Sequence, residues 1–386
     1  MMMVKRIGFM LLCTVYAISG LSATGQEEAA SETGVSWADE VMLHQEISDD
    51  ELYELAKAEG KVVIYSMSSR VKKDAFETRY PGVELVVYDM REAEILEKYQ
   101  REHEAGISSA DVIFVKDALG AVQIEFVDRG LLHQYLPADM MATAPEEFQS
   151  GSYSPYFEMK QIFYNTEVND ASPVDNWWDL TRPEYSGKIM MRNPLDTATN
   201  MNLFLTMTRY HEEMEKAYEV EFGEKLVLNG TENAGYEFIK RLIANDLVLT
   251  TSDGDIIDAI GAPGQSNPPI GLVTSSKMRK ADEDMLIGVS ESMDPRMGNL
   301  DPAFLFVADK SEHPNAAKLL IRWMGGEKDG KGEGFAPFHV RGSWPTRADV
   351  PTIQTQALDT LNVWDRDPMY SYQNLDTVRN YWLSLQ

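Results

Sequence analysis

The stretch that decides the fold is LYELAKAEGKVVIYS, at residues 52–66. Within it, Gly60 separates a helical pattern from an apolar run, and glycine readily ends a helix because it tolerates positive φ. Ser48 lies just ahead as an N-cap residue, so we predict a helix over 49–58. The apolar run at 61–65 is typical of a strand that is buried on both faces of a parallel sheet.

Helices and strands continue to alternate after this stretch. The next predicted elements are a helix at 69–80, a strand at 83–88, a helix at 92–105, a strand at 111–115 and a helical segment at 119–128. This order and spacing indicate right-handed βαβ units on a parallel sheet. A second set of the same kind has strands at 188–191, 247–250 and 270–273 and helices at 200–216, 231–244 and 256–260. The pattern predicts an α/β fold with two lobes.

Two strand-like segments, 157–164 and 303–307, are placed to cross between these lobes. Helices predicted at 314–324 and 355–361 would then return to the first lobe. The resulting division is a signal peptide at 1–25, a polar leader at 26–48, a first lobe made of 49–156 and 304–386, and a second lobe at 157–303.

The N-terminus has the features of a cleavable secretory signal. Lys5 and Arg6 precede an apolar run at 7–18, and small residues follow at 19–25; we place the cleavage near Ala23–Gly25. The apolar run is shorter than the ~20 residues that span a bilayer. We therefore expect a soluble protein that is exported to the periplasm or the extracellular space.

Cys13 is the single cysteine and lies inside the signal, so the mature chain offers no disulfide and no thiol nucleophile. Lipidation of Cys13 is an alternative, although Leu12 stands where lipidation sites have a small residue. The chain has 35 basic and 62 acidic residues, a net charge of −27 that becomes −29 when Lys5 and Arg6 leave with the signal. This charge argues against nucleic acid and anionic membrane surfaces as partners.

Several phrases, in order along the chain, resemble the iron(III)/thiamine/phosphonate-type extracellular solute-binding proteins of ABC importers. They are LYELAKAEGKVVIYS at 52–66, FExxYPGV at 76–83, ADV at 110–112, YNT at 164–166, WDL at 178–180, PEYSGKI at 183–189, HPNAAK at 313–318 and PTRADV at 345–350. The resemblance implies a type 2 periplasmic-binding-protein fold, with two lobes that are joined by two crossing strands and close on a ligand. It also implies a monomeric, non-enzymatic protein whose partners are a small-molecule ligand and a membrane ABC permease.

Candidate ligand-binding residues lie in turns that directly follow predicted strands, where ligands of open α/β sheets bind. In the first lobe they are Ser68, Ser69, Arg70, Arg91, Glu92 and Lys116. In the second lobe they are Arg192, Asn193, Asp196, Thr197, Asp253, Thr274, Ser275 and Ser276. A purely structural capping role is the alternative for each turn. The Arg192 turn is the preferred second-lobe contact, because a guanidinium stands beside several hydrogen-bonding side chains.

The resemblance implies a histidine, a glutamate and a tyrosine pair as ligands in the iron-binding branch of the family. In this chain only Glu92 matches, since the first turn has Ser68 and Ser69 and the late turn has Thr274, Ser275 and Ser276. We therefore expect no metal and no cofactor, and predict a small polar, anionic organic solute. The acidic residues around Asp253 would instead suit an amine, a hydroxyl or a cation. Ferric iron, a sensor role and an exported α/β hydrolytic enzyme remain alternatives at this point.

Overall fold

The computed structural model describes residues 36–149, 151–327 and 329–386. The predicted signal peptide at 1–25, Cys13 and the first part of the leader lie outside the described residues. No helix of the described ranges is both long enough and apolar enough to cross a membrane.

The described chain alternates strands and helices. The strands are β1 Lys61–Ser66, β2 Glu84–Asp89, β3 Val112–Lys116, β4 Leu132–Gln134, β5 Tyr156–Glu158, β6 Lys160–Asn165, β7 Ile189–Arg192, β8 Val248–Thr250, β9 Ile270–Thr274, β10 Ile287–Val289, β11 Asp301–Ala308 and β12 Trp344–Pro345. The α-helices are α1 Trp37–Glu40, α2 Asp49–Glu59, α3 Lys73–Arg79, α4 Glu92–Glu104, α5 Ala138–Met141, α6 Ala198–Arg209, α7 His211–Phe222, α8 Ala234–Ala244, α9 Asp253–Gly261, α10 Pro314–Gly325 and α11 Pro368–Ser384. Shorter helical turns connect several of them.

The first lobe is built on a seven-stranded sheet in the order β12-β5-β11-β3-β1-β2, with β4 also paired to β11. Strand β1 lies parallel to both β2 and β3, as the βαβ pattern predicts. All residues of β1 after Lys61 are buried. Helices cover both faces of this sheet, which explains why the strand is apolar throughout.

The second lobe is built on a five-stranded sheet in the order β10-β6-β9-β7-β8. Strand β7 lies parallel to β8 and β9, whereas β6 runs antiparallel to β9. The chain passes between the sheets where β5 continues into β6, and it returns between β10 and β11. The α/β fold with two lobes and two strand crossings is therefore confirmed.

The stretch at 52–66 folds as its sequence indicates. The Ser48 hydroxyl accepts a hydrogen bond from the Glu51 amide at 3.2 Å, and Gly60 ends α2 with a φ of 77°. The predicted strand and helix at this point are both confirmed within one residue at each end.

Three predicted helices differ from the structure. The helix at 69–80 begins four residues later, because the Ser66 and Ser68 side chains hold the preceding backbone in a turn. The helix at 200–216 is two helices that meet at Tyr210, whose backbone is non-helical. The segment at 355–361 contains only a short 3-10 turn, since Gln356 is bonded to both Trp344 and Glu291.

The later part of the leader belongs to the packed structure. Leu43 is fully buried, and Trp37 packs against the core of the first lobe, where its ring lies 5.1 Å from that of His133. Ordered packing therefore begins before Ser48, the residue at which the sequence pattern places its start. Ala38 and Leu43 are buried in the core of the lobe, with Trp37 and Val41 packed against it, whereas Met42 is exposed.

The last helix, α11, packs in the second lobe, whereas the predicted division assigned 304–386 to the first. Trp382 is 1% exposed, and its ring stacks on Phe204 of α6 at a centroid distance of 5.3 Å. Val378 is also buried in this cluster. Burial of these apolar side chains holds α11 to α6. Helix α11 therefore packs in the second lobe and not in the first lobe, to which the predicted division assigned it.

The segment just before α11 and its first turn also touch the first lobe. The Arg366 guanidinium donates to the Asp117 carbonyl at 2.5 Å, and the Tyr372 hydroxyl donates to the Glu125 carboxylate. Gly120 lies so close to Pro368 that a side chain at this glycine would collide with the proline carbonyl. The lobes therefore meet at this surface as well as at the two strand crossings.

We expect Trp382→Ala to lower the free energy of unfolding by about 3–5 kcal/mol, because it removes a large buried aromatic side chain. The control is Leu383→Ala, the next residue, whose side chain is 49% exposed and should cost about 0.5 kcal/mol or less. Urea unfolding, monitored by far-ultraviolet circular dichroism, measures the free energy of unfolding of both variants. Equal losses in the two variants would contradict the packing of α11.

Candidate functional site

The carboxyl ends of the parallel strands in the two sheets face a common cleft. A cavity of about 680 Å³ lies there and is lined by residues of both lobes and of α11. Helices α4 and α6 both begin at its wall, at Glu92 and Ala198. Helix N-termini carry free amide donors and a partial positive charge, so this arrangement favours an anion.

The structure brings together about half of the predicted site residues at this cavity. Those that line it are Arg91, Glu92, Lys116, Arg192, Asp196, Thr197 and Thr274. Those outside the lining are Ser68, Ser69, Arg70, Asn193, Asp253, Ser275 and Ser276. The second group is held mainly by contacts within the protein.

The turn after β1 is held by hydrogen bonds within the turn and by contacts with the chain around Phe338. Ser68 accepts a hydrogen bond from the Arg70 amide at 3.3 Å, while Ser69 is exposed. The Arg70 guanidinium donates to the Pro337 carbonyl at 2.9 Å and lies over the Phe338 ring. Arg70 is thus positioned by the first lobe, away from the cavity wall.

Asn193, Ser275 and Ser276 also have roles within the fold. The Asn193 side chain accepts from the Leu195 amide at 3.0 Å and so stabilises its own turn. The fully buried Ser275 hydroxyl donates to the Gly342 carbonyl at 2.5 Å and accepts from the Met159 amide at 3.0 Å. The Ser276 carbonyl accepts from Arg279. Ser275 therefore joins the second lobe to the crossing strand and to the first lobe.

Asp253 is buried beneath the cavity in a network with Lys160 and Thr274. One carboxylate oxygen accepts from the Thr274 hydroxyl at 2.7 Å and from the Lys160 ammonium at 3.3 Å. Burial raises the pKa of Asp253, but Lys160, the Thr274 hydroxyl and Arg192 together outweigh it and lower the pKa below its ordinary value. The aspartate is therefore a buried anion that compensates Lys160.

Arg192, at the end of β7, lines the cavity, and its guanidinium acts on the buried Asp253 only electrostatically. Its Nε is buried and has no hydrogen-bond acceptor, and no ion pair involves this side chain in the described part of the chain. The backbone is fixed, since the Arg192 carbonyl accepts from the Asn200 amide group at 2.7 Å. A buried guanidinium N–H without an acceptor is costly, and the rest of this half-buried group lines the cavity, which makes Arg192 the best candidate for a ligand contact.

Lys116 and Glu158 form the ion pair at the floor of the cavity. The ammonium nitrogen lies 2.8 Å from the Glu158 Oε2, and both side chains are nearly buried. Burial alone would raise the pKa of Glu158, but the attraction of Lys116 lowers it overall. Burial alone would lower the pKa of Lys116, and Glu158 raises it instead. Each group thus keeps the other ionised.

Sequence reasoning missed several charged residues at or beneath this floor. Glu158 and Lys160 lie in the crossing strand itself, Asp301 begins the return strand, and α11 contributes Leu375 and Arg379 to the cavity wall. Charged residues inside an apolar strand were the available signal for the first two, because lysine and glutamate are rarely buried without a partner. The sequence of α11 and its neighbours contains no pattern that predicts the packing of this helix at the cleft.

Glu92 lies half-buried at the first turn of α4, on the cavity wall. Burial raises its pKa to about 8, and Asp117 and Asp301 add to the increase while Lys116 opposes it. Near neutral pH the carboxyl is therefore largely protonated. In this form it is a hydrogen-bond donor and does not repel an anion.

We expect the raised pKa of Glu92 to make the free energy of unfolding depend on pH. The folded protein retains the Glu92 proton between about pH 4.5 and 8, whereas the unfolded chain releases it, so the free energy of unfolding should fall as pH rises through this window. Glu92→Gln should remove that part of the fall, on the order of 1 to 2 kcal/mol, which allows for partial solvent exposure. Urea unfolding from pH 5 to 9 measures the difference.

The control is Glu97→Gln, an exposed position on the same helix, which should follow the wild-type curve. A Glu92→Gln curve parallel to the wild type over the whole range would show that this carboxyl is not held protonated.

Metal ligands are not assembled in the described ranges. No group of three or more histidine, cysteine, aspartate or glutamate side chains there is arranged to hold a metal ion. The described residues that line the cavity include neither histidine nor tyrosine.

No protein-family model and no curated protein sequence matches the chain. Solved structures do match. The apo ferric ion-binding protein A of Pasteurella haemolytica has a TM-score of 0.63 at 16% identity, covering 84% of this chain and 98% of that one. The periplasmic binding protein AfuA of Actinobacillus pleuropneumoniae, solved with exogenous fructose-6-phosphate bound, has a TM-score of 0.62 at 15% identity over 84% and 98%.

An ABC-transporter substrate-binding protein of Agrobacterium tumefaciens has a TM-score of 0.59 at 14% identity, over 83% of this chain and 94% of that one. Likeness at such low identity establishes architecture, and it agrees with the two sheets and the two strand crossings described above. The chain therefore has the two-lobe fold of the type 2 periplasmic binding proteins.

Proposed function

We propose that this protein is the substrate-binding component of an ABC importer and captures a small anionic organic solute in the cleft between its lobes. Hinge closure around the ligand is the motion that two lobes joined by crossing strands permit. The solved structures with this fold include periplasmic and ABC-transporter binding proteins, which supports the importer role. The secretory signal predicted at 1–25 supports a location in the periplasm or outside the cell.

The observation that carries the proposal is the Arg192 guanidinium at the cavity wall, which has no hydrogen-bonded acceptor among the described residues. A planar guanidinium with free donors binds carboxylate or phosphate through paired hydrogen bonds. The N-terminus of α6 lies beside it, and Thr197, the residue before this helix, makes no capping hydrogen bond to it. Backbone amides of the first turn therefore remain available to an anion.

The overall charge of −27 does not oppose an anionic ligand. The cavity wall has its own local balance, in which four cations (Arg91, Lys116, Arg192 and Arg379) stand beside four acidic residues (Glu94, Asp117, Glu158 and Asp196), and Glu92 is largely protonated near neutral pH. Local donors and charges decide the binding of a small ion at a few ångströms, because distant charges are screened by salt.

Ferric ion is the less favoured ligand. Hard ferric ion requires several anionic oxygen ligands, and the described part of the cavity wall contributes no tyrosine. A guanidinium at the wall would also repel the ion. The binding experiment includes ferric salts because a ferric ion-binding protein is among the solved structures with this fold.

A thermal-shift screen of the mature protein tests the proposed function. The compounds are sugar phosphates, phosphonates, carboxylates, thiamine and ferric salts. A ligand present at 100 times its Kd should stabilise the folded state by about 2.7 kcal/mol and raise the Tm measurably. The proposal predicts a shift with at least one organic anion, and shifts confined to thiamine or ferric salts would reject it.

Arg192→Ala should weaken binding of the best anion at least tenfold, which is about 1.4 kcal/mol or more. Its effect on stability should be modest, because the guanidinium makes no hydrogen bond or ion pair among the described residues and contributes only its electrostatic attraction to the buried Asp253. Isothermal titration calorimetry measures affinity, and thermal unfolding measures stability.

Arg101→Ala, an exposed position at the end of α4, is the matched control and should bind as the wild type does. Unchanged affinity in Arg192→Ala would reject Arg192 as the ligand contact of the second lobe.

A further inference from the structure

Helix α11 forms a third wall of the cavity between the lobes. Its Ser371, Val378 and Trp382 are buried against the second lobe. Leu375 and Arg379 lie one turn apart on the adjoining face of the helix, and both line the cavity. The buried face therefore holds α11 in place while the adjoining face presents side chains to whatever enters the cleft.

The part of α11 that carries Leu375 is fixed to helix α6 beside Arg192. The buried Ser371 hydroxyl donates to the Asn202 side-chain oxygen at 2.8 Å. Two residues earlier on α6, the Asn200 amide group donates to the Arg192 carbonyl at 2.7 Å. Arg192 and α11 are thus connected through one turn of α6, and both line the same cavity.

Large apolar side chains from all three walls line this cavity and keep accessible surface there. They are Met67, Leu96 and Leu119 of the first lobe, Leu195 of the second lobe and Leu375 of α11. Leu195 is 40% exposed. Apolar surface in contact with water is unfavourable, so a ligand that covers it with apolar groups gains free energy. The wall therefore suits a ligand with an apolar body.

Neutral side chains that could recognise a hydroxylated body are scarce at this wall. No serine, asparagine, glutamine or aromatic residue of the described ranges lines the cavity. The Thr197 and Thr199 hydroxyls lie 3.2 Å apart and bond to each other. The Thr274 hydroxyl donates to Asp253 and accepts from Lys160. Sugar hydroxyls would lose hydrogen bonds to water here without replacing them, which is costly.

Most ionised carboxylates of the wall already accept hydrogen bonds within the protein. Glu94 and Asp117 each accept from backbone amides, at 3.1 and 3.0 Å, and Glu158 accepts from Lys116 at 2.8 Å. Asp196 is the remaining one on the described wall, and it is exposed to solvent. This balance of groups favours an aliphatic chain over a polyol.

We propose that the ligand is an organic anion with an aliphatic body, whose anionic group binds Arg192 and whose body packs on the apolar wall that Leu375 of α11 completes. This inference rests on the proposed function, since it concerns the same cleft. Leu375 is then a specificity-determining residue, which selects aliphatic anions over hydroxylated ones of the same length.

Matched anions test this preference by isothermal titration calorimetry of the mature protein. One series is acetate, hexanoate and gluconate, and the other is methyl phosphate, hexyl phosphate and glucose 6-phosphate. The last two members of each series share six carbons and one anionic group. In at least one series the six-carbon aliphatic anion should bind about tenfold or more tighter than both other members, since each buried methylene group contributes up to about fourfold in affinity.

Leu375→Ala should reduce this preference to about threefold or less, because it removes the apolar contact from α11. Leu375→Met keeps an apolar side chain of similar volume and should retain the preference. The control on the same helix is Leu383→Ala, at a position that is 49% exposed, and it should also retain the preference. If Leu375→Ala unfolds, Leu375→Gln replaces it, because glutamine keeps the volume of the side chain and removes its apolar character.

The possible results separate the aliphatic body from the proposed function. A preference below about threefold in both series, or tighter binding of gluconate and glucose 6-phosphate, rejects the aliphatic body and leaves the proposed function intact. The same holds if neither series binds while another organic anion raises the Tm. A preference that survives in Leu375→Ala or Leu375→Gln, or that is lost in Leu383→Ala, rejects Leu375 as its source. No binding in either series, together with no organic anion in the thermal-shift screen, rejects the proposed function itself.

Discussion

The structure depends on burying opposite charges where the chain passes from one lobe to the other. Lys116 pairs with Glu158 before the first crossing, and Lys160 pairs with Asp253 directly after it. Buried charges are tolerated only when each has a partner. The two pairs lie on either side of Met159, so ionic contacts hold the crossing segment to both sheets alongside the apolar packing of Met159 against Met297 and Trp344. The floor of the cleft is consequently polar.

Much of the architecture could be predicted from the sequence because local signals were strong. The N-cap at Ser48, the glycine at position 60 and the apolar run of β1 all describe interactions between neighbouring residues. The position of α11 could not be predicted in this way. It depends on Trp382 meeting Phe204, a contact between residues far apart in sequence that leaves no periodic pattern. The division of 200–216 into two helices was likewise hidden, since only Tyr210 departs from helical geometry.

The candidate site could be located from the sequence more readily than its contacts could be assigned. Turns after parallel strands converge on one edge by geometry, which explains why Arg192, Lys116 and Thr274 lie at one cavity. Whether a polar side chain in such a turn is free depends on its neighbours in three dimensions. Ser275 has the same chemistry as a ligand contact, yet Gly342 and Met159 use its hydroxyl completely. Glu158 was not predicted as a site residue, because a glutamate inside an apolar strand is not expected to be buried unless it has a partner.

The contact between the α11 segment and the first lobe affects how the protein can be observed. Tyr372 belongs to a helix anchored in the second lobe, and its partner Glu125 belongs to the first. Relative rotation of the lobes must change the separation of these two positions, whereas separations within either sheet stay fixed. A fluorophore pair attached near these positions would therefore convert lobe movement into an optical signal.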